Sequence, residues 1–484
     1  MLSSSVVTSA SRKVLTSSVL LTIVSVGFMV PGLVRTKVAG LTMGEHGIAL
    51  FGQLSQTQTL LITLGGAGLA TATRVILARN DLSGKERDEA QSWLLWIPAA
   101  LSLVLVLCVG VFSRPIAGLI LGSDTYWAEI ILAAAGIPLA VMGQIVLATA
   151  QARRETARLV VSAVMAASVG GGAVAALMAT GNTLLAAFSL VCGPAVQLLV
   201  IVFICRTARR GFTSKPKLDI QRRNEVVMLA WASLVLGGFA AAAELASRTS
   251  VVHFRGLAEL APYQPVALLV TTSMSLILGA VATSSLVELA STHDRILIGE
   301  RITEISQRVL PLLGLIISIV TALSPIAVSI LFVPSLVQPS SPLLVLAFAG
   351  EPLRAVAWIA GSCFLPLGQR KSWLSVGLLT VGVQASVAIA LASLWGAFAI
   401  VAGLVTASVV TLTATCIALH RSSIVLARPA LVLAGCIAAG VAGLPLLSYA
   451  IVFSVTPGAI AAFALLGLYV ILQKRTRQES ERQN

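Results

Sequence analysis

Residues 226–250 read VVMLAWASLVLGGFAAAAELASRTS. Eighteen uncharged residues run up to Glu244, and Arg248-Thr249 closes the stretch. An apolar run of this length is what a helix needs to cross the hydrocarbon core of a bilayer. Helix is imposed there because the backbone has no water to bond. Working outward from this run, the pattern recurs along the whole chain. Hydrophobic segments lie near 14–34, 48–72, 92–112, 128–150, 159–179, 183–205, 226–248, 265–289, 309–332, 342–365, 374–393, 396–418, 430–449 and 455–473. The 484 residues are 57% hydrophobic and only 11% charged, about half the charge of a soluble domain. Barrel strands would be segments of about ten residues with alternating polarity, a pattern this chain lacks. The expected fold is therefore an all-α polytopic membrane protein with about 14 transmembrane helices.

The chain also repeats itself. Arg248-Thr249-Ser250 closes the seventh segment much as Arg35-Thr36-Lys37 closes the first. Gln151-Ala152-Arg153-Arg154 returns as Gly368-Gln369-Arg370-Lys371, and Gly181 before the sixth segment is matched by Gly396 before the twelfth. The offsets of 213, 217 and 215 residues agree closely. Six helices per half is an even number, so the halves share an orientation, as in parallel-repeat transporters. The pattern predicts a six-helix bundle over 1–212, a second over 213–425, and an additional two-helix hairpin with a cytoplasmic tail over 426–484. The longest hydrophilic connection, Arg206 to Glu225, is the expected join.

The net charge of +14 follows the topology. With fourteen spans, both termini and the even connections lie on one side. Only Arg35, Lys37, Arg114, Arg248, Arg255 and Arg354 belong to the other or approach it, which leaves 27 of the 33 Lys and Arg on the first. This is the positive-inside bias and predicts cytoplasmic termini. The basic balance is thus an insertion signal rather than a nucleic-acid footprint. No phosphate-binding loop, H-E-x-x-H helix or nucleophile elbow occurs. The six cysteines fall in or at the ends of apolar segments without a C-x-x-C spacing, and the four histidines read as solvated. Neither an enzyme, a metal site nor a cofactor is expected. Glycine runs such as Gly170-Gly171-Gly172 read as close helix packing.

Ionised side chains inside a span cost about 2.5–3.5 kcal/mol each on insertion scales, and normally face partners, the bundle interior or water. Glu244 and Arg248 are spaced i, i+4 with the acid first, on one helical face. Glu351 and Arg354 are spaced i, i+3. Three readings stay open. The pairs can be structural, the arginines can hold an anion through their planar fork, or Glu244 or Glu351 can take up a proton during transport.

Several stretches resemble a known family. Residues 37–53, KVAGLTMGEHGIALFGQ, are similar to the start of O-antigen and enterobacterial-common-antigen flippases of the Wzx type, with Glu45 where that family tends to have Pro. Residues 68–74, GLATATR, resemble the end of the family's second helix, where a basic residue is common. Arg248 matches a basic residue ending helix seven, and Tyr263-Gln264 resembles an aromatic-Gln pair opening helix eight. Gly350-Glu351-Pro352-Leu353-Arg354 resembles a G-D-x-L-[KR] motif in helix ten, with Glu for Asp. These flippases belong to the multidrug/oligosaccharidyl-lipid/polysaccharide exporter superfamily. The resemblance spans about residues 10–420 and omits the last two segments.

The resemblance implies a flippase for an undecaprenyl-diphosphate-linked oligosaccharide in the bacterial inner membrane, serving surface polysaccharide (lipopolysaccharide O-antigen) biosynthesis. Polymerase and chain-length machinery are then expected partners. A diphosphate crossing a low-dielectric interior needs cations, and Lys37, Arg74, Arg248 and Arg354, with Gln264, are the expected substrate-binding residues. Glu244 and Glu351 are the expected coupling or ion-pair residues. The alternative is a cation-coupled multidrug exporter of the MATE type, although four Tyr make a sparse aromatic cavity.

Overall fold

The computed structural model describes residues 3–66, 68–77, 83–153, 155–274, 295–364, 367, 369–422, 424, 431 and 434–437. The thirteenth and fourteenth expected segments, except for a few positions, and the second half of the eighth lie outside these residues. Every regular element described is a helix, and no strand occurs among the described residues. Nine helices there are long and apolar enough to cross a membrane, or ten if a bent pair counts as one span. The chain is a multi-pass membrane protein. Its surface agrees: Leu107, Val111 and Phe203 are 70%, 77% and 78% exposed, which suits lipid rather than water.

Helix α1 (Ser3–Gly66) carries the first two spans, with its backbone ladder interrupted at Gly44 (φ 66°, ψ −156°). It is followed by α2 (Leu69–Leu77), bent 48° from the second arm. Then come α3 (Gly84–Val111), α4 (Ser113–Leu121), α5 (Trp127–Ala135) and α6 (Ile137–Ala152). Ser83 and Glu86 form a reciprocal cap at the start of α3, which satisfies backbone donors the first turn leaves open. The fifth span is α7 (Thr156–Met165), a π-turn over Ala166–Gly170, and α8 (Gly171–Met178). The sixth is α9 (Thr183–Ile204), capped by the Asn182 side chain, and α10 (Arg206–Thr213) is a short helix in the expected join. The seventh is α11 (Ile220–Arg255).

After a 3₁₀ turn at Leu257–Leu260, helix α12 is described over 263–274. The remaining spans are α13 (Arg295–Leu331), α14 (Val337–Gly361), α15 (Arg370–Trp395) and α16 (Ala397–Arg421).

Two compact units divide the chain, Met1–Ala258 and Glu259–Asn484. The first holds the first six spans together with α11, which packs on α1, α2 and α4. Its apolar core gathers Leu69, Leu94, Ile145, Leu159, Ile201 and Val226 from six helices. In the second unit Ile298, Ile302, Ile359, Phe364 and Leu419 pack together from α13, α14 with the 3₁₀ turn after it, and α16.

Internal repetition is visible in the backbone. Gly181 (φ 67°) just before α9 and Gly396 (φ 53°) just before α16 both adopt positive φ, a conformation that favours glycine. A 3₁₀ turn at Asp124–Tyr126 precedes the fourth span, and one at Pro334–Leu336 precedes the tenth. Glycines also set helix approach. A Cβ on Gly170 would lie 3.3 Å from Pro31 and 3.5 Å from Val196, and one on Gly65 would lie 3.1 Å from Ser102. Gly172, in contrast, faces open space.

Candidate functional site: buried cations in the membrane helices

The turn at Gly44 brings the two arms of α1 together. Arg35 lies nine residues before it and Ser55 eleven after it, yet the Arg35 Nη2 donates to the Ser55 Oγ at 2.9 Å. Two residues earlier on the same arm, Gln53 is fully buried. Its Nε2 donates to the carbonyl of Ile120 and to the Oγ1 of Thr249, both at 3.2 Å. Thr249 adjoins Arg248, which is 5% exposed and donates from Nε to the Glu244 Oε1 at 2.9 Å. One turn further along the second arm, Gln58 reaches the carbonyls of Ala133 and Leu190 at 3.1 and 3.0 Å. Span one is thus bonded to span two through Arg35 and Ser55, and span two to span seven through Gln53 and Thr249, two separate contacts on opposite faces of the second arm.

One atom in each contact is buried without a hydrogen-bond partner, the Nε of Arg35 and the Oε1 of Gln53. Leaving a buried polar atom unbonded costs about 1–3 kcal/mol, so groups of this kind stand ready for a ligand or water. One is a cationic donor and the other an acceptor.

In the second unit, Glu351 on α14 is fully buried, and Arg354 one turn on is 34% exposed. The Glu351 Oε2 and Arg354 Nη2 stand 2.8 Å apart, but neither carboxylate oxygen has a partner at hydrogen-bonding angles. We read the pair as a charge contact, because its distance is short and its orientation poor. Gly350 lets α16 come close: a Cβ there would lie 3.1 Å from the Ser408 Oγ and 3.3 Å from the Val405 Cα. On α16, Gly403 plays the same part against the Gln384 carbonyl of α15.

The remaining expected residues are placed as follows. Lys37 is half-buried on α1, two residues beyond Arg35 and so turned about 200° around the helix. Arg74 is exposed at the end of α2, where its Nε donates to the Gln151 Oε1 at 2.9 Å. From Gln53 it is about 30 Å along the helix path. Gln264 opens α12, 9% exposed, beside Tyr263 at 4%. Arg35, Gln53 and Thr249 were not among the expected binding residues. The repeated Arg-Thr pair singles out Arg35 and Thr249, which the structure places in two separate contacts with the second arm. Among the described residues no group of three or more His, Cys, Asp or Glu could hold a metal ion, and no cysteine is paired.

No family model matches the chain, and no curated protein sequence matches it. Solved structures do. The lipid II flippase MurJ, in an inward closed conformation, matches with a TM-score of 0.70 at 13% identity, over 95% of this chain and 99% of that one. The Vibrio cholerae MATE transporter VcmN matches with a TM-score of 0.61 at 14% identity, over 86% and 97%. A transporter of the same superfamily from Pyrococcus furiosus, described as having a binding pocket of reverse polarity, matches with a TM-score of 0.57 at 13% identity, over 84% and 94%. At these identities the likeness is one of fold. The chain has the fold of the multidrug/oligosaccharidyl-lipid/polysaccharide exporters, and the structures it resembles are transporters, not enzymes.

Proposed function

We propose that the protein is a flippase that carries the headgroup of a diphosphate-linked oligosaccharide lipid across the membrane by alternating access. The observations that carry this reading are two polar contacts inside the spans, Arg35 on Ser55 and Gln53 on Thr249 next to Arg248, with an unbonded guanidinium nitrogen in the first and an unbonded amide oxygen in the second. Guanidinium groups suit diphosphate because two parallel N–H groups match two phosphate oxygens. The Gln53 amide and the Thr249 hydroxyl suit sugar hydroxyls. MurJ, a lipid II flippase by description, supports a lipid-linked cargo by its likeness of fold.

In this reading the lipid carrier is undecaprenyl diphosphate, and the cargo feeds surface polysaccharide in the bacterial inner membrane. Both termini are cytoplasmic, by the distribution of Lys and Arg. Arg74, exposed at the basic end of α2, makes the first contact with the diphosphate. Lys37, Arg248, Gln264 and Arg354 are its other binding residues in this reading, with Arg35 added to them. In the same reading the repeat comprises six-helix halves over 1–212 and 213–425 with the hairpin over 426–484 outside it, and a polymerase with its chain-length regulator takes the product. Deleting the gene and extracting the lipids tests the proposal. A lipid-linked oligosaccharide accumulating inside supports it, and an unchanged lipid profile counts against it.

One observation favours a second reading. Glu351 is a fully buried carboxylate in a span, as a cation-coupled multidrug exporter of the MATE type would need. Raised drug sensitivity in the deletion strain, with normal polysaccharide, would select that alternative.

A further inference from the structure

We propose that α10 and the turn after it form a docking surface for anionic phospholipid headgroups. This goes beyond the transport reading and does not depend on the cargo. Residues 206–218 carry Arg206, Arg209, Arg210, Lys215 and Lys217 with no acidic residue, and all five cations are exposed.

The array is held, not loose. The Ser92 Oγ donates to the Ser214 carbonyl at 2.8 Å, and the Lys217 amide reaches the Glu89 carbonyl at 3.4 Å. Gly211 is buried against the Gln91 side chain, where a Cβ would come within 2.6 Å of its Nε2. The Phe212 ring meets Trp96 edge-on at 6.2 Å. Arg209 donates to the carbonyls of Val202 and Phe203 at 3.0 and 2.6 Å, which closes the end of α9. Arg210 stands 4.0 Å from Asp88, which also binds Arg153 at 2.7 Å.

Depth points the same way. Phe203 is 78% exposed and Trp96 44% exposed, directly beside the cations. Apolar side chains facing lipid therefore give way within one turn to a fixed row of positive charge, the level at which phosphate groups of lipids lie. An insertion signal needs only the charges, in any conformation. A folded, tethered row of cations beside exposed aromatics also matches a surface of anionic headgroups.

The test uses the purified full-length chain in a neutral detergent, titrated with phosphatidylglycerol or phosphatidylcholine while thermal unfolding is followed. Phosphatidylglycerol is expected to raise the midpoint and phosphatidylcholine to leave it. In R206Q/K215Q/K217Q the half-saturating phosphatidylglycerol concentration should rise at least about tenfold. About 0.5 M salt should weaken the wild-type response similarly. The Lys-for-Arg variant R206K should behave as wild type. K215Q/K217Q gives a milder second variant should the triple one fold poorly. The proposal is overturned by an equal response to both lipids, or by a phosphatidylglycerol response that the substitutions leave unchanged. An acidic soluble protein that binds this face in place of lipid would also overturn it.

Discussion

The Gln53 side chain binds Thr249 at 3.2 Å, and this bond ties the second membrane span to the seventh one residue from Arg248. The same amide nitrogen also holds the Ile120 carbonyl. Replacing Gln53 by Leu removes both donated bonds at a fully buried position, for a cost of about 1–3 kcal/mol. A lower unfolding midpoint and weaker transport are expected together. Thr249→Val, which loses only one of the two bonds, should lie between wild type and Gln53→Leu in the same melts.

Arg35→Ala and Arg248→Ala should each abolish surface polysaccharide while protein level is kept. Arg35→Lys and Arg248→Lys keep the charge but lose the planar fork, so partial activity is expected of them. Immunoblots of the membrane fraction beside gels of extracted polysaccharide measure both quantities. Normal polysaccharide in both alanine variants would sink the anion-site reading.

For Glu351 and Arg354, a double-mutant cycle separates structure from transport. Arg354→Leu alone strands a fully buried carboxylate, and breaking such a pair costs about 3–5 kcal/mol. The low end is expected because Arg354 is a third exposed. Replacing both residues by Leu should recover most of that stability. The transport reading expects the double variant to be folded and inactive, whereas full activity would mark the pair as structural.

Gly181 and Gly396 make a matched comparison. Each sits at positive φ, so alanine strains the backbone at either position, by about 1–3 kcal/mol. At Gly181 a Cβ meets nothing within 4 Å, while at Gly396 it overlaps the Glu259 carboxylate. Gly396→Ala should therefore lower the unfolding midpoint more than Gly181→Ala. Adding Glu259→Ala should remove the excess and leave the backbone cost.

Gly350→Ala should push α14 from α16, since its Cβ would come 3.1 Å from the Ser408 Oγ. A loss of about 1–3 kcal/mol is expected for such overpacking. Ser408→Gly in the same chain should restore part of the unfolding midpoint.

The spans were legible because each must be apolar over about 20 residues, and the paired glycines at 181 and 396 because a left-handed turn admits little else. Other features were hidden for physical reasons. Asp124–Tyr126 and Pro334–Leu336 adopt the same short turn with unrelated residues, so repetition there shows only in the backbone. Sequence could not rank Arg35 against Lys37: two positions along a helix reverse the direction a side chain faces, and segment ends were uncertain by more than that. Nor does any residue pattern announce the π-turn at Ala166–Gly170, where packing of Gly170 against Pro31 and Val196 accompanies the extra residue. The 206–225 join read as a hydrophilic connection because its eight-residue helix is too short and too basic to show apolar periodicity.

The close pairing of Arg35 with Ser55 bears on how the chain is made. A ribosome delivers the helices in order, and an arginine that enters the bilayer before its partner exists must wait in hydrocarbon. Arg35 finds Ser55 in the very next helix. Arg248 has Glu244 and Arg354 has Glu351 one turn behind, already synthesised when the arginine emerges. Each of these three cations therefore enters the membrane with a partner on its own helix or the next one, and none depends on a segment from the far end of the chain.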